Sequence, residues 1–229
     1  GMAEPLRRLA TRLGVRLVAG LMIAILWCWS ATLRKETRQI ERLDRAIAEG
    51  HQVLAVFWHG KYTPLFPLAS GRQAVVITVD SFRGQVIGTI SRWFGYRPVL
   101  LPAEVRTRGF PALVQQVENN ASLIALALDG PSGPSHRIRS GALKLSTLHG
   151  VKIAPIGVAS SHALVLRSRW DRQVVPLPFS RVAIAVGDLI DLSQASDADG
   201  APGMEEIVRN GMDAAEREAE AILGGEGRA

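Results

Sequence analysis

The chain is poor in cysteine, in aromatic residues and in the residue spacings of common hydrolytic sites. Its 229 residues include one cysteine, Cys28. A single thiol closes no disulfide within the chain and builds no cysteine-based metal site. That usage is compatible with a reducing compartment. Aromatic residues make up 6% and do not interleave with runs of lysine or arginine. With no nucleic-acid-binding motif present, nucleic acid is not an expected partner. No G-x-S-x-G elbow occurs, which argues against a serine hydrolase. No H-x-x-x-H or H-E-x-x-H spacing occurs either. His51, His136, His149 and His162 form no evident ligand set, so no metal is expected. There is no internal repeat and no low-complexity segment.

Acidic residues are scarce until the carboxyl-terminal tail. Residues 1–45 hold nine Lys/Arg against four Asp/Glu, and residues 46–190 hold fifteen against seven. Residues 191–229 hold three against ten. A basic body with an acidic tail suits anionic lipid or a phosphorylated small molecule. The run from 17 to 33, LVAGLMIAILWCWSATL, carries no charge. Arg7, Arg8, Arg12 and Arg16 precede it, and Arg34 and Lys35 follow. As a helix it extends roughly 26 Å, a little short of a ~30 Å hydrocarbon core. Trp27 and Trp29 near its end suit a membrane interface. Without a small-residue cleavage site it does not read as a signal peptide. Residues 1–35 are therefore expected to be a membrane-associating helix, as a single span or an interfacial anchor. The competing reading packs this helix against the domain or against a second copy.

The apolar share, 47%, supports one large core. Residues 36–49 place Ile40, Leu43 and Ile47 at helical spacing before Gly50. Apolar strands are expected at 53–57, 74–79, 97–101, 122–128, 151–159 and 181–186. Helices are expected at 84–94, 109–119, 140–148 and 203–223. This alternation predicts an α/β fold for residues 36–229, with a mixed, largely parallel sheet flanked by helices and an acidic carboxyl-terminal helix.

Three of the strands run out onto polar residues: His59, Asp80 and Asp129. If they are parallel, these side chains share one rim, where open α/β sheets bind ligands. An imidazole there can carry a proton near neutral pH; the bland alternative is a histidine packed under Trp58. Asp129-Gly130 before the Pro131–Ser135 loop is either a turn starter or an acid that holds a substrate hydroxyl. Lys61, Arg83 and Arg137 lie where they could bind phosphate, with Arg forks suited to its oxygens. Arg106, Arg108 and Arg139 read as solvated loop residues.

Four stretches resemble the lysophospholipid acyltransferase superfamily, in its bacterial branch of unknown function. They are AVFWHGKYTPLFPLAS, the Asp80-to-Gly84 segment with GYRPVL, ALDGPSGPSHRIRSGALKLSTLHGVKIAPIGV, and SRWDRQVVPLPFSRVAIAVGDLI. Together they cover about residues 40–192. The resemblance implies a glycerolipid acyltransferase-like fold and acyl transfer from acyl-CoA or acyl carrier protein to a hydroxyl of a lysophospholipid or related glycolipid. No cofactor beyond the acyl donor is implied. The expected location is the cytoplasmic face of an inner membrane. The superfamily signature is H-x-x-x-x-D, in which the acid orients a general-base histidine. His59 matches the histidine, but Pro64 occupies the acid's position. Either another carboxylate orients His59, with Asp80 the first candidate and Asp129 the second, or the activity is altered or lost. The branch tends to show an Asp-Gly pair where this chain has Arg83-Gly84; together the two readings place expected substrate contacts at Lys61, Arg83, Gly84, Gly130 and Arg137. Two alternatives are kept: a non-catalytic lipid-binding protein, and a metal-dependent phosphoesterase built on His59 and the aspartates.

Overall fold

The computed structural model describes residues 3–102, 109–130, 132–194 and 200–225. Arg106 and Arg108 lie outside them. The apolar runs form a seven-stranded sheet. In chain order its strands are β1 (Arg34–Glu36), β2 (Val53–Phe57), β3 (Val75–Val79), β4 (Arg97–Leu101), β5 (Leu123–Ala127), β6 (Lys152–Ser160) and, after a hairpin, β9 (Arg181–Val186). The hairpin is β7 (Ala163–Val165) paired with β8 (Val174–Pro176). Spatial order across the sheet is β1-β9-β6-β2-β5-β3-β4. All neighbours are parallel except β6 and β9, so the sheet is mixed and largely parallel as expected.

Strands buried on both faces need apolar residues at every position, and β2, VLAVF, has them. Its side chains alternate between two cores. Val53 and Ala55 join one cluster, to which helix α1 (Ala3–Thr32), α2 (Glu41–Ala48) and α4 (Phe82–Trp93) contribute Val15, Leu43 and Ile90. Leu54 and Val56 join the other, with Leu113, Leu145 and Met212 from α5 (Gly109–Glu118), α6 (Ser140–His149) and α7 (Gly200–Gly225). Helices thus cover both faces, the three-layer solution for a parallel sheet.

Local chemistry sets the ends. Ser81 caps α4 by accepting from the Gly84 amide at 3.1 Å. Gly150 closes α6 in the left-handed region, at φ 65°. The expected helix over 36–49 is shorter: Arg34–Glu36 pairs with β9 at the sheet edge, and only Glu41–Ala48 is α-helical. Of the expected range only Glu36 is taken by the sheet, and Arg38–Ile40 form a 3-10 turn that leads into the α-helix. The boundary expected near residue 35 falls inside β1. Val15, Ala19 and Leu33 belong to the same core cluster as the strands. Helix α1 is therefore packed into the domain along one side.

Candidate active site

Strands β2 and β5 are paired with Phe57 opposite Ala127. Two residues beyond that pair, His59 and Asp129 stand side by side on the carboxyl-end rim. Asp129 is fully buried and accepts two backbone amides, His59 N at 2.8 Å and His136 N at 3.1 Å. It ties the backbone of His59 to that of His136, and the imidazole's hydrogen bond goes elsewhere. Asp80 ends β3, beyond β5 in the sheet; it is exposed and accepts from Gln85 at 2.7 Å. The parallel rim exists, but neither expected acid orients His59.

The acid is Asp171, from the turn of the β7–β8 hairpin, 112 residues along the chain. Its Oδ2 lies 2.8 Å from His59 Nδ1. Arg169 grips the same carboxylate with two bonds, Nε to Oδ1 and Nη2 to Oδ2, both 2.9 Å. The Asp171 side chain is wholly buried. Burial pushes its pKa up, but the Arg169 bonds outweigh that, and with the His59 contact they hold it near 2. The carboxylate is therefore ionised throughout the neutral range. A carboxylate accepts, so Nδ1 donates, and in the neutral ring Nε2 carries the free lone pair. Among the described residues, Nε2 has no hydrogen-bond partner. The His59 side chain is 24% exposed, open enough for a substrate to reach it.

Close packing fixes this alignment. A β-carbon on Gly60 would sit 2.2 Å from the Asp171 carbonyl oxygen, so only glycine lets the two loops meet. A β-carbon on Gly133 would sit 2.5 Å from the Trp170 ring. Trp170 lies at 5.0 Å from the His59 ring, and Tyr62 at 5.1 Å on edge. Tyr62 continues through Phe66 to Tyr96, an aromatic row leading away from the imidazole toward α3 (Leu65–Leu68). Pro64, at the position of the missing acid, caps α3 and is buried. Gln173 also donates to Thr63 Oγ1, tying the hairpin to the segment after His59.

The expected substrate contacts are distributed differently. Lys61 is structural: its Nζ bonds the Val158 carbonyl at 2.9 Å and Glu216 of α7 at 2.8 Å. Gly84 is a packing residue, since a β-carbon there would come within 1.8 Å of the Val79 carbonyl oxygen. Gly130 is a turn residue at φ 67°. Arg83 is exposed beside Phe82 on α4, not at the imidazole's strand end. Arg137 is exposed on the loop that Asp129 anchors. Arg139 is not merely solvated, because Nη2 bonds the Gly133 carbonyl. Beside Asp171, Arg167, Arg172 and Val165 line a cavity of about 460 Å³. Among the described residues, no three His, Cys, Asp or Glu side chains converge in a metal-binding group.

Sequence reasoning overlooked Asp171 because no spacing rule links a histidine to an acid so far along the chain. The signal was nonetheless present. Ser168-Arg-Trp-Asp171 lies inside the fourth stretch that carries the resemblance.

No known family profile matches the chain. It is similar to an uncharacterized protein of Rickettsia prowazekii (strain Madrid E), at 24% identity over 144 residues. That match takes in 61% of this chain and 64% of the relative, so the chain spans less than two thirds of the relative's length.

Proposed function

We propose that this protein is a membrane-associated acyltransferase that uses acyl-CoA or acyl carrier protein as donor and a lysophospholipid or related glycolipid as acceptor. The observation that carries the reading is the His59–Asp171–Arg169 chain. A buried, ionised carboxylate holds Nδ1, which leaves Nε2 of a partly exposed ring free to act as a base. A thioester carbonyl is already activated, so no covalent acyl-enzyme is needed. The acceptor hydroxyl gives its proton to Nε2 while its oxygen forms a bond to the carbonyl carbon. The tetrahedral adduct then expels the thiolate, which takes the proton back from the imidazolium. Asp171 offsets the positive charge the ring carries between the two transfers, and general-base assistance of this kind is worth roughly 100- to 10,000-fold. The aromatic row through Tyr62 and Phe66 offers an apolar wall for an acyl chain. Helix α1, with a stretch at Leu9–Thr32 long and apolar enough to cross a bilayer, supports a lipid substrate; the location proposed with it is the cytoplasmic face of an inner membrane.

A non-catalytic lipid-binding protein has no need of a buried carboxylate gripped by Arg169 and bonded to one histidine, which favours the enzyme. A phosphoesterase would need His59, Asp80 and Asp129 to share a metal. Asp129 instead spends both oxygens on backbone amides. The test is incubation of the full chain with labelled acyl-CoA or acyl carrier protein and a panel of lysolipids. Labelled diacyl product is expected from the wild type, and a loss of at least about 100-fold from His59→Ala. Equal product from both proteins, or none from either across the panel, would overturn the assignment.

A further inference from the structure

Helix α1 lies alongside α4 and in parallel with it. Gly14 approaches Phe82 near the start of α4, and Trp27 and Trp93 line one groove near its end. The contact seam includes Val15, Ala19 and Leu26, so the helix is held lengthwise. On the opposite side Leu13, Leu17, Leu21 and Ile25 recur every four residues as one stripe. They are 50%, 74%, 64% and 51% exposed, and no charge interrupts them. An uncovered apolar stripe of this length marks a contact surface.

Charge identifies what covers it. Exposed Arg12 and Arg16 lie toward one end and exposed Arg34 and Lys35 at the other, and residues 5–35 contain no acid. A second copy of the chain would set these cations against each other, whereas an anionic bilayer complements them. The groove between Trp27 and Trp93, about 460 Å³ with Lys35 on its wall, puts two exposed indoles and an ammonium where headgroups meet acyl chains. The surface continues toward the site: the Phe179 amide donates to Thr32 Oγ1, and Trp29 Nε1 donates to the Pro176 carbonyl of the hairpin that carries Asp171. Orientation follows from packing. If α1 crossed the membrane, α4 would go with it, and exposed Arg83 and Arg92 would enter hydrocarbon.

We propose that α1 is an in-plane anchor, its Leu13–Ile25 stripe sunk into the surface of an anionic bilayer and its axis parallel to that surface. This extends the membrane part of the function above and stands independently of acyl transfer. Cys28 is exposed and is the chain's single thiol, a ready site for a fluorophore. The full chain labelled there, and Leu13→Cys and Leu21→Cys variants made on Cys28→Ser, are mixed with phosphatidylglycerol-rich vesicles that carry brominated lipids of graded depth. No acyl donor is added, so the outcome is separate from that of the activity assay. All three labels are expected at one shallow depth, about 5–10 Å below the headgroups. Partitioning is expected to fall by about tenfold or more on neutral phosphatidylcholine vesicles. A label at position 21 near the bilayer centre, with 13 and 28 near opposite surfaces, would overturn the in-plane geometry. No quenching at any position would overturn bilayer docking, and a dimer in sedimentation would then show that a second copy covers the stripe.

Discussion

At position 171 a buried carboxylate holds a guanidinium and an imidazole, and the pair Arg169–Asp171 decides which nitrogen of His59 is basic. Asp171→Asn keeps the shape but removes the charge that offsets the imidazolium. Turnover in the acyl-transfer assay is expected to fall by about two orders of magnitude or more, with KM for the acceptor little changed, because the lost interaction belongs to the transition state. The same carboxylate links stability to pH. Its folded pKa, near 2, is below its ordinary value of 3.8, so the folded state binds the proton more weakly than the unfolded chain. That stabilisation is complete above about pH 4 and is lost as pH falls through about 2, and it amounts to about 2 kcal/mol. Denaturant titrations at pH 5 and pH 2 should show the gap between wild type and Asp171→Asn narrowing at the lower pH.

Among the elements, α7 shapes the site from outside it, and the hairpin supplies its acid. Helix α7 rides so close to β6 that a β-carbon on Gly157 would sit 2.0 Å from the Ala215 carbonyl oxygen. The oxygen belongs to helix backbone and Gly157 to an interior strand of the sheet, so neither element yields cheaply. Gly157→Ala is expected to cost about 1–3 kcal/mol and to lower Tm by roughly 2–10 °C in calorimetry. Lys61 bonds Glu216 on the same helix, so the variant is also expected to disturb the segment just after His59. The hairpin is short and carries half-exposed apolar residues, including Leu164, Val165 and Trp170. Its turn is held by Gln173 to Thr63 and by the Gly60 close approach, contacts that span more than a hundred residues.

For the whole molecule, α1 is both a surface element and part of the core. A chain beginning at residue 34 would uncover the α4 side of the cluster that holds Val86, Ile90 and Phe94. Such a truncation is expected to aggregate or to melt well below the full chain, as read by light scattering during a thermal ramp. A detachable anchor would instead leave a soluble, equally stable body. The basic amino-terminal part and the acidic α7 also meet, through Gln39 and Arg42 on Glu218. The charge asymmetry of the sequence is thus partly spent inside the fold.

Alternation of apolar runs with helical spacing was enough to determine an α/β sheet, most strand limits and a rim bearing His59, because buried strands and amphipathic helices are local consequences of side-chain period. Strands 97–101 and 181–186 begin and end where the residues predict. Gly84 and Lys61 read in the sequence as substrate contacts; the close packing of Gly84 against Val79 and the bonds of Lys61 to Val158 and Glu216 appear only in the fold, since these partners lie on other elements. Only the folded chain decided which acid meets the imidazole. Asp129 is its neighbour in the sheet, yet both oxygens face backbone amides. Asp171 is remote in sequence, yet a glycine at 60 lets its turn close onto the ring. Hydrogen-bond partners are chosen by loop geometry after the sheet has formed, and loop geometry leaves no periodic mark on the residues that build it.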